Sequence, residues 1–286
     1  MTEQTVFLNG DYVPISKAKV SVLDRGFIFG DGVYEVIPVY GGKLFRFEEH
    51  MQRLQDSLDA IRLSNPYTLD EWQNLLSRLL PEEKQFDHSI YLQLTRGVAP
   101  RDHSFPVETQ PTVFAMANRL PRPDPIWLKQ GVEAVTLQDN RWLHCNIKSI
   151  ALLANVLLRQ QAMDQQAMEA ILIRDSVVTE GAASNVFIVQ NGTVKTPVKD
   201  HHLLPGITRD LIVELARDNG LACEECQIPE SALLEADEVW LSSSTKEILP
   251  VTLLNQQPVG TGKPGPIWQK MYTIFQEYKD GLRQSA

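Results

Sequence analysis

The 286 residues are 43% hydrophobic and 22% charged, enough for one large domain or two modest ones, each with its own core. The net charge of -9, with no long basic run, speaks against nucleic acid, because phosphate backbones reward clustered Lys and Arg. The opening Met-Thr-Glu-Gln-Thr-Val lacks the basic and apolar regions of a secretory signal, no apolar run could span a bilayer, and three cysteines make no disulfide framework, so a cytoplasmic, membrane-free protein is expected.

Val6 to Pro14 reads as a hairpin, with Asn9-Gly10 as a tight type I′ turn between short apolar runs. Val33 to Tyr40 is rich in β-branched and aromatic residues and turns at Gly41-Gly42 into Lys43 to Arg46, a second hairpin. A helix is predicted from Phe47 to Arg62, where Phe47, His50, Met51, Leu54, Leu58 and Ile61 recur at three- and four-residue steps. A second helix from Leu69 to Leu80 follows, then strands at Ser89 to Gly97 and Thr112 to Asn118, joined by a loop holding Arg101, Asp102 and His103. Arg119 to Pro125 carries three prolines and reads as a linker, which sets domains at residues 1–118 and 126–286. Beyond it, strands at Val132 to Leu137, Ala170 to Arg174, Asn185 to Gln190 and Glu238 to Ser243 alternate with helices. Those helices are Ser149 to Gln166, Ile207 to Asn219 and Ile267 to Leu282. The mixture is α/β (α+β) with two domains.

Four segments carry chemistry. In R-W-L-H-C-N-I-K-S, Lys148 stands at the threshold of an apolar helix, and an amine held against apolar surface loses its proton more readily and can condense with a carbonyl. By itself such a lysine usually snorkels to water, and that reading is the favoured one. T-E-G-A-A-S-N-V-F places Glu180 at a strand end beside small residues that let a flat ligand approach; a buried carboxylate there needs a cationic partner, which a protonated ring nitrogen would be. L-P-G-I-T-R turns the chain into a helix whose N–H groups at Ile207 and Thr208, with the Thr208 hydroxyl, make an anion site; a plain N-cap by Thr208 is the alternative. L-S-S-S-T-K-E offers hydroxyls to a phosphate, or is a polar loop. Together they supply a Schiff-base lysine, a ring-nitrogen partner and two phosphate-binding segments, the parts that pyridoxal phosphate asks of a protein. No nucleotide-binding glycine motif is present. No metal site is expected: Cys223 and Cys226 lack a second pair and read as unrelated thiols, and His201-His202 as a solvated turn.

D-R-G-F-I-F-G-D-G-V-Y-E-V (Asp24 to Val36), Lys148, E-G-x-x-S-N-V-F (Glu180 to Phe187) and L-P-G-I-T-R (Leu204 to Arg209) occur in one order along nearly the whole chain. In this the sequence resembles the fold-type IV pyridoxal-phosphate enzymes, the branched-chain-aminotransferase-like family. The resemblance implies a small N-terminal α/β domain and a larger C-terminal pseudo-barrel domain that binds pyridoxal 5'-phosphate. It implies that Lys148 forms the Schiff base and moves the proton, and that Glu180 pairs with the ring nitrogen. Arg53, Ile207, Thr208, Ser243 and Ser244 would hold the phosphate, and Leu204 would pack on the ring. Substrate choice would fall to Tyr34 and Val36 and to Arg101 and His103, a pairing similar to that of family members acting on D-amino acids. In them Arg and His bind the substrate α-carboxylate across a homodimer. Transamination of D-alanine-like donors with 2-oxo acids is the activity implied. A branched-chain L-amino-acid aminotransferase, an aminodeoxychorismate lyase and an amine transaminase share the scaffold; Tyr34-Glu35-Val36 and the Arg-x-His loop speak against the first. Outside the family stand a cofactor-free scaffold protein and a Schiff-base aldolase. Two departures are noted: Ala182 and Ala183 replace frequent serines, and Asp102 puts a negative charge between Arg101 and His103.

Overall fold

Asn9 and Gly10 both take positive φ (51° and 100°), the backbone of a type I′ turn, and join β1 (Thr5–Leu8) to β2 (Asp11–Pro14) as the sequence predicts. The computed structural model describes residues 3–81 and 86–284. Its chain next forms a short helix α1 (Arg25–Phe29), β3 (Gly32–Tyr40) and β4 (Lys43–Leu44). Then come α2 (Phe47–Ala60), α3 (Leu69–Ser77), β5 (His88–Thr95) and β6 (Thr112–Arg119). The six strands pair antiparallel in the order β2-β1-β6-β5-β3-β4.

The chain divides into two compact units. The first holds the residues up to Pro121, the segment Ile147–Leu152 and the chain from Leu282; the second holds Arg122–Asn146 and Leu153–Gly281. The chain therefore passes between units more than once, where the sequence reading has one crossing at residues 119–125. Of that proline-rich segment, Pro125 is not linker: it is the first residue of α4 (Pro125–Gln130), capped by Asp124, because proline at the first helical position sacrifices no hydrogen bond.

In the first unit, α2 buries His50, Met51, Arg53, Leu54, Ser57 and Leu58 on one face. The apolar members of that stripe pack with Ile37, Ile90, Leu92, Trp72 and Leu76 into one core between the helices and the sheet. The polar members share the stripe for another reason, given below.

The second unit continues with β7 (Val132–Gln138), α5 (Leu153–Asp164), β8 (Glu169–Arg174), β9 (Val177–Gly181), β10 (Asn185–Gln190) and β11 (Thr193–Thr196). After these lie α6 (Ile207–Asp218), β12 (Cys223–Glu225), α7 (Glu230–Leu234), β13 (Glu238–Ser243), β14 (Glu247–Leu254), β15 (Gln257–Pro258) and α8 (Pro266–Gln284). Its sheet runs β12-β11-β10-β13-β14-β7-β8-β9, with β15 on β14. Only residues 182–184 join β9, at one end of that order, to β10, five places away. In a flat sheet those strands would lie about 24 Å apart at ~4.8 Å per strand. Four steps along the chain span at most about 14 Å. The sheet must therefore curl toward closure, which is the half-barrel expected from the resemblance. Val132, Ile171, Val186, Ile188, Val239, Leu241 and Leu249 fill its inner core.

One predicted helix starts later: the helix expected from Ser149 begins at Leu153, so Lys148 does not stand at a helix threshold.

Leu54→Ala, at the fully buried centre of the α2 stripe, should cost about 3 kcal/mol of stability through the cavity it leaves. Urea unfolding followed by tryptophan fluorescence measures this; a loss well below 1 kcal/mol would contradict the packing described.

Candidate active site

Lys148 is positioned by its backbone. Its carbonyl accepts from Tyr34 N at 3.0 Å, its N–H donates to Ser57 Oγ at 3.2 Å, and Ile150 N donates to the Gly32 carbonyl at 3.1 Å. Residues 148–150 thus lie extended along β3, with Ser149 bridged to Val33. The glycines of G-D-G-V make room for this. A Cβ at Gly32 would lie 2.4 Å from the Leu94 carbonyl and 3.0 Å from Ile150 Cδ1. Gly30 sits at φ 67°, and a Cβ there would come within 3.1 Å of Ala151. Lys148 Nζ stands 4.2 Å from the centroid of the Tyr34 ring. Strand alternation puts Val36 on the same face as Tyr34, both half-buried, and Glu35 on the opposite, buried face.

Glu35 is the acceptor for the polar part of the α2 stripe. Arg53 Nε and Nη2 donate to its two oxygens at 2.8 and 2.7 Å, and His50 Nδ1 donates to Oε2 at 2.8 Å. Burial alone would raise the Glu35 pKa; Arg53 and His50 outweigh it and hold the carboxyl well below the usual range. Burial also pushes the His50 pKa down, against the pull of Glu35. His50 Nε2 is buried with no hydrogen-bond partner. Sequence reasoning named Arg53 for a phosphate and counted His50 as core; the pair with Glu35 went unseen. Two polar residues three apart on a helix's apolar stripe were the signal.

In the second unit Glu180 is buried and its cationic partner is Arg141, which donates through Nη1 to Oε1. The other oxygen accepts from Leu204 N at 3.1 Å and Asn185 Nδ2 at 3.4 Å. Arg141 is fixed in turn by Asp139, which takes its Nε and Nη2, both at 2.9 Å, together with Thr179 Oγ1 at 3.0 Å and Arg174 Nη2 at 3.1 Å. Burial works against charge on Arg141, yet Asp139 and Glu180 more than compensate and raise its pKa. A protonated ring nitrogen is therefore not the only cation for Glu180. Arg141 opens the segment that carries Lys148, but Glu180 lies 39 residues on, beyond the reach of local pattern.

The head of α6 carries no side-chain cap: its N-cap is Gly206, so Thr208, buried in the first turn, does not spend its hydroxyl there. A Cβ at Gly206 would lie 2.0 Å from Asn185 Oδ1. Asn185 pairs with Ser242, so both side chains project from the same sheet face. Ser242 Oγ is buried there without a partner. The three-serine run thus holds a candidate the sequence reading passed over in favour of Ser243 and Ser244, which are half-buried; Ser243 Oγ accepts from Lys246 N at 3.1 Å. Ala182 is buried and gives its carbonyl to Asn155 Nδ2, while Ala183 is exposed.

Arg101 and His103 lie in an exposed loop of the first unit. Both face Phe29 of α1: the Arg101 guanidinium is 5.4 Å and the His103 ring 5.4 Å from that ring. Asp102 turns its carboxylate to Ser104 N at 2.8 Å, and this backbone bond lowers its pKa. Among the described residues no three His, Cys, Asp or Glu side chains gather as a metal site, and no helix is long and apolar enough to cross a membrane.

The model of the amino-transferase class IV family matches residues 32–254. D-alanine aminotransferase of Staphylococcus epidermidis is 42% identical over 274 residues, 96% of this chain and 97% of that protein. The D-alanine aminotransferase of Bacillus licheniformis is 41% identical over 271 residues, 95% of each. Among solved structures, the branched-chain amino acid aminotransferase from Escherichia coli superposes with a TM-score of 0.88 at 28% identity, covering 96% of this chain and 93% of that one. The match spans the half-barrel, the β3 motif and the lysine segment together, and the chain belongs to the class IV aminotransferases.

Proposed function

We propose that the protein is a pyridoxal-phosphate-dependent aminotransferase that moves the amino group of D-alanine-like donors to 2-oxo acids. The observation that carries this reading is Lys148, an amine whose backbone is tied on both sides and whose Nζ stands over Tyr34, in a chain 42% identical along 96% of its length to a D-alanine aminotransferase.

The residues suit the cofactor. The unpartnered buried Ser242 Oγ and the side-chain-free Gly206 frame a helix N-terminus where a phosphate would be stabilised by N–H groups at Ile207 and Thr208. Ser243, Ser244 and Arg53 are the further phosphate ligands of this reading, and Leu204 packs on the ring. Glu180, paired with Arg141, would hold the ring nitrogen. When bound, pyridoxal phosphate supplies an electron sink for the pair released as the substrate Cα loses its proton. Lys148 Nζ takes that proton from Cα, acting as the general base on one face. Tyr34, Arg101 and His103 hold the substrate α-carboxylate, and Val36 lines the side-chain pocket.

The active species is a homodimer in this reading. Large apolar side chains stand exposed in each unit: Val22 (71%) and Phe27 (75%) in the first, and Leu153 (72%), Val156 and Leu157 on one face of α5 in the second. Three free thiols are in keeping with the cytoplasm.

Lys148→Ala should lose transamination entirely while keeping its circular dichroism and melting curve, since Lys148 is half-buried and outside every helix. Borohydride reduction of the wild type with pyridoxal phosphate should leave the added mass on the peptide containing Lys148; label elsewhere, or turnover in the variant, would refute the assignment. A donor screen with 2-oxoglutarate should give activity with D-alanine and little with L-leucine, whereas the reverse would favour the branched-chain reading that the solved structures suggest. Light scattering should return twice the chain mass of 32.3 kDa, and a monomeric mass with full activity would exclude the dimer.

A further inference from the structure

The loop carrying Arg101 and His103 is held from beneath by the first half of the D-R-G-F-I-F-G-D-G motif. Arg25 is buried, and its Nη1 donates to the carbonyls of Asp102 at 2.6 Å and Ser104 at 3.3 Å. The Nε of the same guanidinium donates to Asp31 Oδ2 at 2.7 Å. Asp31 is anchored by Arg96, whose Nε and Nη2 reach its two oxygens at 2.8 and 3.0 Å. Arg96 also donates to the carbonyls of Ile61, at 2.7 Å, and Arg62, at 3.1 Å, beyond the end of α2. Its guanidinium lies 3.8 Å from the ring centroid of Phe105, just past the loop residues in question.

Phe29 completes the support. Its ring centroid is 4.9 Å from the Arg25 guanidinium, and Arg101 and His103 approach the same ring. The Asp102 carboxylate closes a turn onto Ser104 N rather than facing outward unpaired. Residues 101–104 are therefore fixed by three unlike devices: a guanidinium on two carbonyls, an aromatic platform and a side-chain turn. Burying an arginine to hold two carbonyls of an exposed loop costs desolvation that a surface loop does not require. Arginine's planar fork can serve two carbonyls and a carboxylate at once, and lysine's point charge cannot reproduce that geometry.

We propose that Arg25 and Phe29 are positioning residues for substrate recognition: they set the separation and tilt of Arg101 and His103 so that both engage one carboxylate. The proposal rests on the reading of Arg101 and His103 as the α-carboxylate site. Arg25 and Phe29 touch no substrate in it. They act through the loop, so their loss weakens carboxylate binding and spares proton transfer at Lys148.

Four variants test it side by side: Arg25→Met, Arg25→Lys, Phe29→Leu and Arg101→Ala. Arg25→Met should raise KM for D-alanine and for 2-oxoglutarate about tenfold, with kcat within about twofold of wild type, the signature of lost binding common to ground and transition states. Arg25→Lys should fall between Arg25→Met and wild type, and Phe29→Leu should raise both KM values about threefold. Hydrogen exchange of the 101–104 amides should quicken in Arg25→Met while the melting temperature of the bulk protein stays close to wild type. A fall in kcat with unchanged KM, or wild-type KM in both Arg25→Met and Phe29→Leu, would overturn the proposal. If Arg25→Met does not fold, Phe29→Leu alone decides, because its ring is only half-buried. An Arg101→Ala variant with wild-type KM would refute the carboxylate site and the proposal with it. Raised KM in Arg101→Ala, without change in the Arg25 and Phe29 variants, would refute the proposal alone.

Discussion

The hydrogen bond from Tyr34 N to the Lys148 carbonyl, with its neighbour from Ile150 N to Gly32, is the contact on which the rest depends. A lysine side chain has four rotatable carbons, so a reactive amine is only as well placed as the backbone beneath it. Here residues 148–150 are strapped to β3 and to Ser57 of α2. The strap is possible because Gly30 and Gly32 carry no Cβ where Ala151, Ile150 and Leu94 come close. The same strand then presents Tyr34 and Val36 on one face and Glu35 on the other. The placing of Lys148, of half-buried Tyr34 and Val36 and of buried Glu35 follows from one strand with two glycines at its head.

The second cost the fold accepts is buried charge. Glu35 with Arg53 and His50, and Asp139 with Arg141, Arg174 and Glu180, are two networks taken out of water. Apolar residues of similar volume often serve stability as well or better. Buried ion networks beside a candidate site instead fix protonation. Arg141, its charge favoured by Asp139 and Glu180, stays beside Glu180, and Asp139 keeps it from swinging away. Arg141 also dilutes the negative charge that Glu180 presents, so the basicity of the site is set by the pair and not by the carboxylate alone.

Much of the fold was legible in the sequence because it is local. Asn9-Gly10 and Gly41-Gly42 specify hairpins through φ alone, and the stripe of α2 is written at three- and four-residue steps. The strands at Val132, Ala170, Asn185 and Glu238 were visible as apolar runs and lie within a residue or two of their observed bounds. What failed to show was non-local. Ile150 to Leu153 reads as the start of an apolar helix, yet the donors at Tyr34 and Ile150 pair across more than a hundred residues and hold the chain extended. The apolar helix expected there does form as α5, yet Leu153, Val156 and Leu157 face solvent while Leu158 and Ala162 are buried. Hydrophobic periodicity reports that a face is apolar, not what it faces. The Arg141–Glu180 pair and the Arg25 clamp were missed for the same reason: Glu180 and the 101–104 loop are distant in the chain.

One motif illustrates how the family pattern divides its labour. In D-R-G-F-I-F-G-D-G the residues Arg25 and Phe29 look toward the 101–104 loop, while Gly30 and Gly32 look toward the lysine segment. Asp31 stands between and binds Arg25 and Arg96 together. Burial alone would raise its pKa, but the two guanidinium groups hold it below the usual range, so it remains the anion both of them need. Nine residues thus connect the clamp on the 101–104 loop to the strap on the Lys148 segment. In the reading proposed above, a change of substrate class on this scaffold would be easiest in the loop side chains themselves, because the motif already holds the backbone beneath them. Retuning the chemistry instead requires altering glycines that leave no room for a side chain.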